Sequence, residues 1–287
     1  FFMTRRRFPV GKTLLYVFMS LWALTTIYPF IWVILNSFKP RGLIRSDTFS
    51  LPIGDKFTLE NYVTAFKRVD IGTAYVNSIV ISGAVTVVVM VLAGLAAYAM
   101  VRYSFRLRGF LHSMIIASMM FPVFSTIIPV FRMESSWGIV NTGSIWLTRL
   151  SVVLPQIAGN LSFAIIVLMG FIRSLPVDLE EAAYLEGYNV YQIFFRIIMP
   201  LAKPSFATVG IFTFLWSYND LFLQMFFLRS KKFFTITRLL NEISSQAGTN
   251  YGLMVAAVVM VVIPVLVVYI FLQNYIIKGM TAGAVKG

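Results

Sequence analysis

Residues 74–101 read AYVNSIVISGAVTVVVMVLAGLAAYAMV, a run without a single Asp, Glu, Lys or Arg. A helix needs about 20 predominantly apolar residues to cross the hydrocarbon core of a bilayer. This run meets that length and shows no strand-like alternation, so it reads as a membrane-spanning helix. Further runs of the same kind lie at 13–35, 110–131, 151–172, 205–228 and 253–273. The fold class that follows is all-α: a polytopic membrane protein with six transmembrane helices in a single transmembrane domain. Pro29, Pro122, Pro129, Pro155 and Pro264 fall inside these runs as expected kinks, which membrane bundles tolerate where neighbours re-satisfy the freed carbonyl.

Composition agrees. Of 287 residues, 59% are hydrophobic and only 12% charged. A water-soluble domain carries about twice that share of charge. The net charge of +13 would suit nucleic acid on a soluble basic face, but here nearly every charge lies between apolar runs. The partner it implies is the lipid bilayer, with no nucleic acid. The chain contains no cysteine, which excludes a disulfide framework and thiolate metal sites.

Six spans put both termini on one side. Arg5, Arg6, Arg7 and Lys12 precede the first span, and Arg102, Arg106 and Arg108 crowd the short second connection. Under the positive-inside rule these segments are cytoplasmic, so both termini are expected there. The 24 Lys and Arg otherwise divide evenly between the sides, the outer share being carried largely by the long connection 36–73, which the rule discounts.

The segment 173–204 between the fourth and fifth runs is too polar at its start to span and too patterned for a plain linker. Asp178 and Glu181 sit at the spacing of a capping box, and Gly187 can end the short helix they would open. Asn189 and Gln192 repeat the box. Val190, Ile193, Phe194, Ile197 and Ile198 then fall on one helical face, bounded by Pro200 and Pro204. Two short helices meeting at a glycine are expected. By physics alone they are an interfacial pair or a handle for a partner's groove.

Glu181-Ala182-Ala183-Tyr184-Leu185-Glu186-Gly187, then nine residues, then Ile197-Ile198-Met199-Pro200, resembles the EAA motif of binding-protein-dependent ABC permeases. Other stretches are similar to the maltose-type carbohydrate-uptake branch of that family. They are Ser37-Phe38-Lys39, Thr58-Leu59-Glu60-Asn61-Tyr62, Asn77-Ser78, Ala96-Ala97-Tyr98-Ala99 and Gly138-Ile139-Val140-Asn141-Thr142. The tail Gln273-Asn274-Tyr275 followed by Lys278 to Gly287 resembles the C-terminus of the smaller of the two permease subunits. Glu186, Tyr188 and Met199 depart from the usual residues of the motif.

The resemblance implies a bacterial inner-membrane importer subunit with no enzymatic activity of its own. It implies a second homologous permease, a dimer of ATPase subunits carrying ATP and Mg, an extracytoplasmic solute-binding protein and a carbohydrate substrate. Glu181, Ala182, Ala183 and Gly187 would couple to the ATPase, and Gly279, Thr281, Gly283 and Lys286 of the tail would reach it too. The glycines of that tail disfavour an independent helix.

Within the chain, Gly11-Lys12-Thr13 imitates the end of a Walker A loop, but Arg6 stands where the first glycine belongs and a span follows directly. No cofactor or metal is expected, and the only histidine, His112, reads as a packing group. Tyr218, Asn219, Asp220 and Gln224 interrupt the fifth run. Polar groups inside a span line a pathway or tie helices together, and both readings stand. Two other functions remain for comparison. An ion-coupled transporter would want several paired intramembrane charges, whereas only Asp220 lies well inside a run. A non-transporting scaffold would need neither the loop nor the polar break.

Overall fold

The computed structural model describes residues 10–68, 70–247 and 250–284, and these are helical without a strand. In chain order the helices are α1 (Val10–Ser37), α2 (Arg41–Ser46), α3 (Glu60–Arg68), α4 (Ile71–Arg102), α5 (Arg108–Ser118), α6 (Val123–Ser136) and α7 (Ile145–Ile172). There follow α8 (Asp178–Leu185), α9 (Val190–Ile193), a π-helical stretch (Phe194–Ile198) and α10 (Met199–Leu201). The last are α11 (Lys203–Asn219), α12 (Leu221–Phe227), α13 (Ile236–Ala247) and α14 (Tyr251–Ala284).

All six apolar runs carry helix. Among the described residues α1, α4 and α7 are long and apolar enough to cross a membrane unaided, the count rises to five if each of two bent helix pairs is one span, and Tyr251–Val267 is a shorter apolar helix. The third run is a correction. It was expected as one span over 110–131, yet α5 and α6 meet at 104° across a short break. Pro122 is the cause: it steers Phe121 away from helical geometry and offers no N–H to continue the ladder. The fifth run, expected over 205–228, is likewise interrupted, because Asp220 takes an extended conformation (φ −70°, ψ 94°) between α11 and α12. The sixth helix runs on well past 273, through Gly279 and Gly283 to Ala284, so the tail, as far as it is described, is the end of α14 and not a helix of its own. The glycines cost helix propensity, but the long helix before them has already met the cost of nucleation.

The described residues pack as two compact units. The first comprises those of Phe1–Val69 with Glu242–Ile263. In it α1 is exposed on every face from Gly11 to Ile31, with Leu14 and Trp22 bare, as suits a helix solvated by lipid. Below it, Lys39 is fully buried and donates to the carbonyls of Asp47 (3.0 Å) and Thr48 (2.9 Å). Asn61 donates to the carbonyls of Ser37 (2.9 Å) and Lys39 (2.8 Å), and the Tyr62 hydroxyl meets that of Ser37 at 2.7 Å. The stretches Ser37–Lys39 and Thr58–Tyr62 therefore knit to each other.

The second unit comprises Asp70–Asn241 with the described part of Pro264–Gly287, and α4 is its central helix, packed on α7 and α11. The Asp70 carboxylate caps it by accepting from the Thr73 N–H at 2.9 Å. Ala74, Ser78, Ile81, Val85, Val89, Ala93, Ala97 and Met100 are buried at spacings of three and four, one stripe along its whole length. Gly94 lies in that stripe for a steric reason. A Cβ there would stand 2.8 Å from the Phe206 ring and 2.9 Å from that of Phe194.

Candidate functional site: the loop between α7 and α11

α8 ends in a Schellman motif. Gly187 has φ +83°, its N–H donates to the Tyr184 carbonyl (3.0 Å), and the Tyr188 N–H donates to that of Ala183 (3.0 Å). Gly187 thus ends the short helix as expected, since a Cβ is strained in the left-handed region. The start of the helix differs from expectation. Asp178 and Glu181 form no capping box; Val177 is the N-cap, and its carbonyl accepts from the N–H groups of Glu180 (2.8 Å) and Glu181 (3.2 Å). Pro176, with φ already near the helical value, lets the turn begin one residue early.

The second box forms as expected. Asn189 accepts from the Gln192 N–H, and the Gln192 side chain accepts from the Asn189 N–H, both at 2.9 Å. Ile193, Phe194 and Ile198 are buried, while Val190 is exposed. Pro200 does not stop the helix. The wider π turn before it lets the Met199 N–H reach back to the Phe194 carbonyl, and the chain bends by 83° only at Ala202, into α11.

Glu181, Ala182 and Leu185 face outward, whereas Ala183 is buried. The Arg196 guanidinium lies 5.8 Å from the centre of the Tyr188 ring, so the bulky residue at the joint is held by its neighbour. Sequence reasoning missed Glu180. It is only 4% exposed, accepts from Arg102 Nε (2.5 Å) and takes a 2.8 Å bond from the Tyr98 hydroxyl. Nothing local marks Glu180, because both partners lie about eighty residues earlier. Tyr184 and Tyr103 share a 2.9 Å hydroxyl bond, which together with burial raises the Tyr184 phenol above its usual value.

The break in the fifth run is a second polar cluster, and the four expected residues divide. The Asp220 carboxylate caps α12 by accepting from the Leu223 N–H (3.2 Å) and also accepts from the Gln156 side chain (3.0 Å). Ser217 donates to Gln156 Oε1 (2.6 Å), Gln224 donates to the Ser217 carbonyl (3.1 Å), and Thr235 donates to Gln224. Tyr218 is buried, its carbonyl accepting from the Thr237 hydroxyl at 2.8 Å. Asn219 stands apart, exposed, with its amide donating only to the Leu215 carbonyl within its own helix (2.9 Å). Gln156 is not marked in the sequence because it lies in the fourth run, with no charge or tight polar cluster beside it and its partners more than sixty residues away. Of the tail residues, Gly279, Thr281 and Gly283 lie in α14 and Lys286 falls outside the described residues.

Residues 90–282, which contain both clusters, match the model of the family described as "Binding-protein-dependent transport system inner membrane component". The chain belongs to this family. It is 34% identical over 268 residues to the diacetylchitobiose uptake system permease protein NgcG of Streptomyces coelicolor, covering 93% of this chain and 86% of that one. It is 31% identical over 260 residues to the melibiose/raffinose/stachyose import permease protein MelC of Bacillus subtilis, covering 90% and 91%. In fold it is similar to a chain of a bacterial ABC transporter involved in the import of the acidic polysaccharide alginate. That match has a TM-score of 0.80 at 23% identity and covers 96% of this chain and 99% of the other. As a permease subunit of an ABC importer the protein is not itself an enzyme; hydrolysis of ATP belongs to a separate subunit.

Proposed function

We propose that the chain is one of a pair of permeases forming the pathway for a carbohydrate, and that α8–α10 is its handle for an ATPase dimer. It acts as one transmembrane domain of the bacterial inner membrane with both termini cytoplasmic. An extracytoplasmic binding protein delivers the sugar. Curated relatives named for the uptake of di- and oligosaccharides support the substrate class.

The observation that carries this reading is the Gly187 joint. It presents Glu181, Ala182 and Leu185 outward from a helix whose other face is anchored, which is the form a helix takes when it seats in a partner's cleft. Glu181→Arg should prevent ATPase subunits from co-purifying with the permease pair while leaving its spans folded. Undiminished co-purification of an active ATPase would sink the docking role. Mass spectrometry of the ligand retained by the purified binding protein tests the substrate; an amino acid or peptide there would overturn the carbohydrate assignment.

For the polar break, the closed bonds of Ser217, Asp220 and Gln224 favour a structural role. Asn219 is the residue of the four left to face a pathway, on one helical face with Phe212 and exposed Trp216.

A further inference from the structure

We propose that α4 is the transmission rod of this protein, clamped at one end to both coupling helices by Tyr98, Arg102 and Glu180 and at the other to segment 232–236 by Asn77 and Ser78. The inference rests on the reading of α8–α10 as the ATPase handle.

At the first end, one side chain serves both helices of the loop. The Tyr98 hydroxyl donates to Glu180 of α8, and its ring lies 5.7 Å from that of Phe194, just beyond α9. Arg102 closes the clamp by binding Glu180 through Nε and the Leu175 carbonyl through a terminal nitrogen at 2.9 Å. The side chains of Arg102 and Glu180 are only 10% and 5% exposed. Taking two charges out of water nearly cancels their attraction, so such a pair adds little stability over apolar residues. What it adds is direction: α8 cannot shift without breaking the pair or moving α4.

At the far end, the Asn77 side chain donates to the carbonyls of Lys232 and Phe234, each at 3.1 Å, and accepts from Arg149 at 2.9 Å. The Ser78 hydroxyl accepts from the Ile236 N–H at 2.8 Å. About 37 Å of helix separates Asn77 from Arg102. That length contains no proline, whereas α1, α7 and α14 each carry one. An unbroken helix with specific polar bonds at both ends carries a displacement along its axis; a proline-kinked one absorbs part of it as bending.

The chain has no cysteine, so one can be placed at will. Lys231→Cys puts a thiol on an exposed position beside the far clamp. The full complex with its ATPases, in phosphatidylethanolamine–phosphatidylglycerol vesicles, is labelled with a maleimide, with and without ATP and vanadate. With an otherwise native sequence the labelling rate should differ about fivefold between the two conditions, the low end for coupling between distant sites. Glu180→Gln, which keeps the volume and an acceptor for Tyr98, should erase that difference while ATP is still hydrolysed. Asn77→Leu should erase it too, and Ser78→Ala replaces it if that variant does not fold. Ser217→Ala, which weakens the α7–α11 network instead, should keep it.

A preserved difference in Glu180→Gln, or an equal loss in Ser217→Ala, overturns the rod. Gly187→Val separates the two levels. If it loses the difference while Glu180→Gln keeps it, only the rod fails; if both keep it, the ATPase-handle reading fails and takes the rod with it.

Discussion

The loop 177–201 and the break at 217–224 are both places where polar residues interrupt an apolar chain, and the fold treats them oppositely. In the loop, Glu181 and Ala182 are turned outward and the anchoring is left to Glu180, Ala183 and Phe194. At the break, Ser217, Asp220 and Gln224 are turned onto Gln156 and Thr235, and Asn219 is left outside. A polar group at an aqueous surface can stay unpaired for a partner to use. One inside a bundle must find partners at once or cost several kcal/mol. The difference teaches that polarity within a span marks function only where its bonds are not already filled by neighbouring helices.

The largest effect that tests this contrast is Gly187→Val. The φ of +83° is strained for any β-branched residue, so the joint should open while the spans keep their bonds. ATP-driven uptake in reconstituted vesicles should fall more than about tenfold, with thermal unfolding in detergent unchanged. Uptake at the native level would make the loop a surface helix pair and erase the contrast.

Asp220→Ala should do the reverse. It removes the cap of α12 and a partner of Gln156, costing about 1–2 kcal/mol of folding stability, visible as a lower unfolding midpoint of the purified complex. Uptake per folded complex should change little. A large uptake defect at native stability would return Asp220 to the pathway.

Asn219→Leu sharpens the division within the break itself. Its amide bonds only within α11, so stability should hold to within about 0.5 kcal/mol, as for other substitutions away from buried networks. Uptake should nonetheless drop, with ATPase assembly intact. Equal losses of uptake and of assembled complex would put Asn219 in the structural set.

The smallest effect is expected from deleting 279–287. Residues 279–284 continue a helix that is already established, so the fold should persist and only transport-linked ATP hydrolysis should weaken. Hydrolysis at the native rate would remove the tail from the contact with the ATPase.

Much of this was legible in one dimension. The apolar runs, the Asn189–Gln192 box and the left-handed Gly187 are local facts, decided by length, spacing and the absence of a Cβ. The breaks at Pro122 and Asp220 were readable in principle. By local rules, however, proline inside an apolar run reads as a tolerated kink, and Asp220 as a polar group inside a continuous helix rather than a cap between two. The missing capping box at Asp178 shows the limit of local rules, since Pro176 had already started the turn.

What the sequence determined by itself was the helical membrane class, the positions of its apolar runs and the existence of a jointed loop, because each depends on residues within a few turns of one another. Which polar residues are spent and which are free was decided only in three dimensions. Glu180 is a clamp and not a docking group because Tyr98 and Arg102 arrive beside it from the end of α4. Gln156 and Thr235 close the break because α7 and the segment before α13 lie across it. A hydrogen bond needs its partner within about 3 Å, and only the packing of distant segments brings that partner there.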